Sequence, residues 1–147
     1  MGTVKAPCID CRSEVVCDRH RDVHAFYRGL LPALRAAARD HGYALGVHGS
    51  ERRDLDVIAA PWTEAAVAAD VLAEALRACF DGVILTQHDG HRCASPERKP
   101  NGRLAWSIYT QDGSAYLDLS VMPIPGRPIP NPEGAWQYAH PLLETTT

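Results

Sequence analysis

Apolar positions recur at three- and four-residue steps from about position 22, where Val23, Phe26, Tyr27, Leu30, Leu34, Ala37 and Ala38 share one helical face. Asp22 stands at the expected N-cap and Gly42 at the glycine-favoured position past the C-terminus. Pro32 falls inside this pattern. Lacking a backbone donor, it is expected to kink the helix or split it after Leu31. The period then shortens, and residues 43–47 and 55–60 read as two strands, the second stopped by Pro61. A helical stripe returns in Val67, Val71, Leu72, Ala75, Leu76 and Cys79, with Thr63 as expected N-cap and Asp81-Gly82 as the close. Cys79 reads as a core residue. Residues 83–86 read as a third strand and 88–102 as a polar loop.

The clearest local signal is a hairpin. Residues 103–110 and 115–121 alternate in polarity around Asp112-Gly113, the favoured pair for a type I′ turn. With those two as the loop, Trp106 faces Leu119 and Ile108 faces Leu117 on an apolar side, while Ser107 faces Asp118 and Ala105 faces Ser120 on a polar one. Beyond Met122 five prolines between positions 123 and 132 predict an extended, irregular tail, with Trp136 and Tyr138 as surface anchors. The chain divides into a cysteine-rich start (1–22), a body (23–122) and this tail (123–147). The expected fold is α/β (α+β), a small mixed β-sheet with two main helices packed on one face.

Charge and composition narrow the function only in part. A formal net charge of −3 and a pI near 6.1 argue against a generic nucleic-acid coat, although a local basic site stays open. No apolar run approaches the roughly 18 residues that span a bilayer. The start lacks a signal-peptide core, so a cytoplasmic protein without membrane partners is expected. Five cysteines, an odd number, fit a reducing compartment better than a disulfide framework.

Two clusters carry candidate chemistry, and a third is weaker. Cys8, Cys11, Cys17 and His20 form two close chelating pairs, Cys-x2-Cys and Cys-x2-His, which fit a structural Zn²⁺ knuckle, with His24 a spare fourth ligand. Small buried or merely exposed thiols are the alternative. In the loop, His88, His91 and Cys93 offer donors in no compact zinc spacing, and the basic residues beside them fit a phosphate-bearing ligand as well. The stronger cluster is Asp54 and Asp56, which project together from one strand while Leu55, Val57 and Ala59 face the other way. Asp118 adds a third carboxylate on the polar side of the hairpin, an expensive place for an unpaired charge. Three such groups repel one another unless a cation sits among them, and hard oxygen ligands suit Mg²⁺ or Mn²⁺.

Gly49-Ser50 after an apolar strand, then Asp54-x-Asp56, then a late Asp118 within Tyr-Leu-Asp-Leu-Ser, resembles the nucleotidyltransferase superfamily of the polymerase-β type. More narrowly, the region 26–123 is similar to short nucleotidyltransferase-like proteins of phages and prophages. The resemblance rests on Phe26-Tyr27-Arg28-Gly29-Leu30-Leu31-Pro32, His48-Gly49-Ser50, Arg53-Asp54-Leu55-Asp56, Pro61-Trp62, Lys99-Pro100, Trp106 and the run from Asp118 to Pro123. It implies metal ligation by Asp54, Asp56 and Asp118, with Asp118 also the base for an acceptor hydroxyl, and nucleotide phosphates received at Gly49 and Ser50. The partners implied are a nucleoside triphosphate and an acceptor, or a host protein. Only Glu51, Arg52 and Arg53 separate the Gly-Ser pair from the acids, where superfamily members carry a helix. The strands are therefore expected to meet through a tight turn, with Arg52, Arg53 and Lys99 supplying charge for an anion. A catalytically silent binding module on the same fold, and an interaction protein working through its zinc-bearing start, are the alternative expectations.

Overall fold

The computed structural model describes residues 18–51, 53–88, 90–130 and 136–138. Helix α1 (Asp18–Asp40) leads into strands β1 (Tyr43–His48) and β2 (Leu55–Pro61), then helix α2 (Ala69–Ala78). Four short strands follow: β3 (Val83–Ile84), β4 (Thr86–His88), β5 (His91–Cys93) and β6 (Glu97–Arg98). A single 3₁₀ turn (Pro100–Gly102) precedes the hairpin of β7 (Leu104–Tyr109) and β8 (Tyr116–Val121), and β9 (Pro128–Pro130) pairs with β10 (Trp136–Tyr138). The main sheet runs β1-β2-β8-β7-β3, with β6 beside β3 along the outer edge of β7. It is mixed, because β2 and β8 are parallel while the other pairs are antiparallel. The expected α+β class is what the chain adopts.

Alternation decides which face is covered. Leu55, Val57 and Ala59 of β2, Leu117, Leu119 and Val121 of β8, and Trp106 and Ile108 of β7 are all buried. They meet Tyr27, Leu31 and Leu34 of α1 and Leu72, Ala73 and Leu76 of α2 in one core. Asp56 and Ile58 of β2 and Tyr116, Asp118 and Ser120 of β8 are half-buried on the opposite face, from which the acidic residues project. Along the edge of β7, the Leu85 N–H donates to the Ser107 carbonyl (2.9 Å) and the Ser107 N–H donates to Thr86 Oγ1 (3.0 Å). The buried Thr86 hydroxyl therefore completes the ladder where the chain leaves the sheet between β3 and β6.

Several expectations are corrected. Helix α1 begins at Asp18, so Asp22 is an interior position and no N-cap. It runs through Pro32 without splitting; Pro32 and Arg28, one turn before it, are both exposed, so the carbonyl left without a donor lies on the solvent side. Helix α2 begins at Ala69, not after Thr63, because residues 62–67 wrap Gly42 instead. Trp62 N–H donates to the Gly42 carbonyl and Val67 N–H to that of His41, both at 3.1 Å. Gly42 has φ +88°, and a Cβ there would stand 2.6 Å from Ala66 Cα. Arg127 donates to the carbonyls of Glu64 and Ala66, at 2.6 Å each, so two acceptors a helix would use are taken. Val71 is consequently exposed and Ala73 buried in its place.

The hairpin has the expected register, Trp106 against Leu119 and Ser107 against Asp118. Its turn differs. Gly113 has a left-handed φ and Asp112 does not, which excludes type I′, a turn that requires both. Asp112 instead accepts bonds from Thr110 Oγ1, Ser114 N and Ser114 Oγ, and its carboxyl is lowered to about 2 by them. The polar region 88–102 contains β5 and β6, and the tail contains the β9–β10 pair where irregular chain was expected.

Candidate metal centre

The site is assembled at the point where the parallel strands β2 and β8 run side by side. In that pairing Asp56 stands opposite Asp118, and Asp54 precedes β2 on the same face. One carboxylate oxygen from each of Asp54, Asp56 and Asp118 lies within 4.8 Å of the others, and all three residues are half-buried. Among the described residues this is the one group of three or more His, Cys, Asp or Glu side chains whose donor atoms converge in this way. The three together can hold a metal ion, with a donor set composed entirely of oxygen.

Neighbouring elements fix the acids in place. Tyr27, buried on α1, donates its hydroxyl to the Arg53 carbonyl at 2.7 Å and accepts the Tyr116 N–H at 3.3 Å, joining the entrances of β2 and β8. Burial raises its phenol to about 12, so it remains a donor at every physiological pH. Gly49, at φ +77°, passes so close to Asp56 that a Cβ would run into its Oδ2. Glu51 also has a left-handed φ. Its carboxylate is tethered to α1 by His24 Nε2 at 2.8 Å and by Arg28 at 3.5 Å. The Tyr116 hydroxyl bonds the Asp54 carboxylate, and its ring stacks on Tyr109 with centroids 4.9 Å apart.

Burial and mutual repulsion act on the acids in the same direction. Asp118 is raised above the ordinary carboxylate value first by burial, then by Asp56 and Asp54, with Lys99 opposing. Asp56 is raised by burial and by Asp54, with His48, its partner across β1, opposing. Tyr116 is raised by burial and by its bond to Asp54. An accumulation of negative charge that Lys99 and His48 offset only in part is the electrostatic condition that a divalent ion relieves.

The residues expected to serve phosphates are distributed unevenly. Gly49 abuts Asp56, and Ser50 is exposed beside it. Arg53 is exposed and its charge reaches Tyr116, while Lys99 pairs with Glu97 at 2.9 Å and still acts on Asp118. Arg52 lies outside the described residues, as do Cys8, Cys11 and Cys17 and the side chain of His20. His24, the spare zinc ligand, is taken by Glu51. His88, His91 and Cys93 do not converge: His88 and His91 face each other across the β4–β5 hairpin, and His88 Nε2 bonds the Ser95 carbonyl at 2.9 Å. The sequence reading assigns no site role to Tyr27, Tyr116 or Glu51. Tyr116 carried a usable signal, since it precedes Asp118 by two positions on the same strand face.

Comparison with protein-family models, curated proteins and solved structures finds no match to the chain. Among the described residues, no helix is long and apolar enough to cross a membrane.

Proposed function

We propose that the chain is a metal-dependent nucleotidyltransferase-like protein, transferring a nucleotidyl group to a hydroxyl acceptor at the Asp54–Asp56–Asp118 cluster. The observation that carries this reading is the convergence of the three carboxylates beneath the Gly49 turn. Asp54, Asp56 and Asp118 would hold Mg²⁺ or Mn²⁺, which supplies Lewis-acid polarisation of the phosphoryl oxygens and stabilises the leaving pyrophosphate. Asp118, with its raised affinity for protons, accepts the proton of the acceptor hydroxyl. Gly49 lets the turn close onto the Asp56 carboxylate, and the exposed Ser50 hydroxyl beside it donates to a phosphate. Arg53 and Lys99 flank the acids and balance the charge of the triphosphate.

One observation favours a second reading, a catalytically silent binding module. The connection from Gly49 to Asp54 contains no helix among its described residues, so no helix N-terminus faces the phosphates. Calorimetric titration separates the two. Under the enzyme reading, a nucleoside triphosphate binds the wild type only with Mn²⁺ present, and Asp56→Ala loses both the metal and the nucleotide. Manganese binding without any nucleotide binding would favour the silent module, and absence of metal binding would refute the enzyme.

A further inference from the structure

The two edges of the main sheet are built differently. At one, β3 and β6 are two residues each, and the Thr86 hydroxyl takes the Ser107 N–H between them. At the other stands β1, six residues long, with no strand on its outer side among the described residues. The Trp62 N–H donates to the Gly42 carbonyl, so the bonded pairs across β1 and β2 fall at Gly42, Ala44, Gly46 and His48. The backbone N–H and C=O groups of Tyr43, Leu45 and Val47 therefore point outward, away from β2. Such edges are ordinarily blunted by proline, lysine or a bulge. β1 has none of the three, and its register with β2 is continuous.

Helix α1 sets the charge of this edge. One side of it meets α2, where Cys79 Sγ approaches the Ala33 carbonyl at 3.9 Å. Another side turns toward β1, since His24 and Arg28 both reach Glu51, just beyond that strand. Arg35 and Arg39 follow Arg28 by about two and three turns on this side, and all three are exposed. Glu51 answers Arg28. Among the described residues no carboxylate pairs with Arg35 or Arg39, and like charges four residues apart on a helix repel. An open hydrogen-bonding edge thus lies alongside a row of cations.

We propose that the outer edge of β1 is a docking site for an extended acidic segment of a partner protein, which adds antiparallel to β1 as a further strand. The edge requires extended backbone, and the arginines fix the sign of the charge. Register then gives the pattern. Tyr43, Leu45 and Val47 direct their side chains into the core beneath α1, so residues exchanging bonds with them point the same way. Acidic residues at those alternate positions meet Arg35 and Arg39. The intervening positions lie beside Ala44 and Gly46, on the face that carries Asp56, where a further carboxylate would be repelled. A second copy of the chain is the poorer occupant, because pairing β1 with its two-fold mate sets one arginine row against the other.

The test is fluorescence anisotropy on the full chain with a labelled, end-blocked heptapeptide, Thr-Glu-Thr-Glu-Thr-Glu-Thr. Peptides with lysine or glutamine in place of glutamate are the charge controls. Two further forms carry backbone N-methyl groups, on the glutamates in one and on the inner threonines in the other. The wild type should bind the glutamate peptide about tenfold more tightly than either control, a preference that shrinks as salt is raised. Methylation at the glutamates should abolish binding, because it removes the donors that face β1. Methylation at the threonines, whose N–H groups face outward, should leave it. Arg35→Gln and Arg39→Gln should each weaken binding about fivefold, and Arg35→Lys should retain most of it. Val47→Pro removes an outward N–H and spares the β1–β2 ladder, so it should abolish binding; the methylated peptides read the same bonds with the protein unaltered. Absence of saturable binding, equal binding of the lysine or glutamine peptide, or indifference to methylation at the glutamates would overturn the proposal. An oligothymidylate that binds as tightly and displaces the peptide would do so too, because the arginines would then read phosphate. A wild-type dimer that Val47→Pro dissociates would give the edge to a second copy and overturn it as well.

Discussion

Asp118→Asn removes one of three mutually repelling carboxylates and keeps the shape of the side chain. Its oxygen lies no more than 4.8 Å from those of Asp54 and Asp56. At that separation each pair repels by about 0.9 kcal/mol in a water-like dielectric and about 3.5 kcal/mol at an effective dielectric of about 20. The group is only half-buried, so solvent screening holds the sum of its two pairs near the lower figure, and Lys99 offsets part of it. In metal-free protein at neutral pH the substitution should therefore stabilise the fold by about 1–2 kcal/mol, or roughly 3–6 °C in melting temperature for a chain of this size. The sign is that of a carboxyl bound more tightly to its proton in the folded state than in the unfolded one. Such a group adds stability below its ordinary value of 3.8, and that stability is lost as pH rises through the folded value. The advantage of the variant should consequently shrink toward pH 4. Calorimetric melting in chelator at the two pH values measures both effects, and a parallel scan with Mn²⁺ measures a third: the wild type should gain stability and the variant little. A variant that melts below the wild type in chelator at neutral pH would refute the reasoning, because the acids would then be stabilised by something other than an absent cation.

Three further outcomes are expected. Manganese affinity should fall as pH drops into the carboxylate range, because protons compete at Asp56 and Asp118, both raised; titration at pH 7 and pH 4 checks this, and a flat profile would contradict it. Gly49→Ala places a Cβ against Asp56 Oδ2 on a left-handed backbone, so it should cost about 1–2 kcal/mol of stability and weaken manganese binding together, as read by melting and calorimetry. Thr86→Val deprives the Ser107 N–H of its acceptor, so it should destabilise by about 1–3 kcal/mol, and Thr86→Ser should recover most of the loss in denaturant titrations.

The parts of the fold that were legible in the sequence are those where one local rule acts alone. Strict alternation in β2 and β8 put the three acids on one face, and the same rule set the hairpin register from Trp106 and Leu119. What escaped depends on contacts between distant residues. The start of α2 is decided by Gly42 and Arg127, neither near it in sequence, so the propensity of residues 63–68 for helix is overridden. The turn at Asp112 is decided by three bonds to one carboxylate, which outweigh the usual preference of an Asp-Gly pair. Tyr27 is one aromatic among several on an apolar helix face, and only the packed structure shows that its hydroxyl joins β2 to β8.

The parallel pairing of β2 with β8 has a consequence for how the chain reaches its native state. Asp56 and Asp118 belong to strands far apart in the chain, so their meeting is a non-local contact, slow to form and opposed by charge repulsion. A slip of β8 by one residue against β2 would turn Asp118 toward the helices and bring Leu119 out to solvent. A cation held at this cluster would thus act as a proofreading step for assembly: it would reward the correctly aligned sheet alone, and a slipped sheet would gain nothing from it.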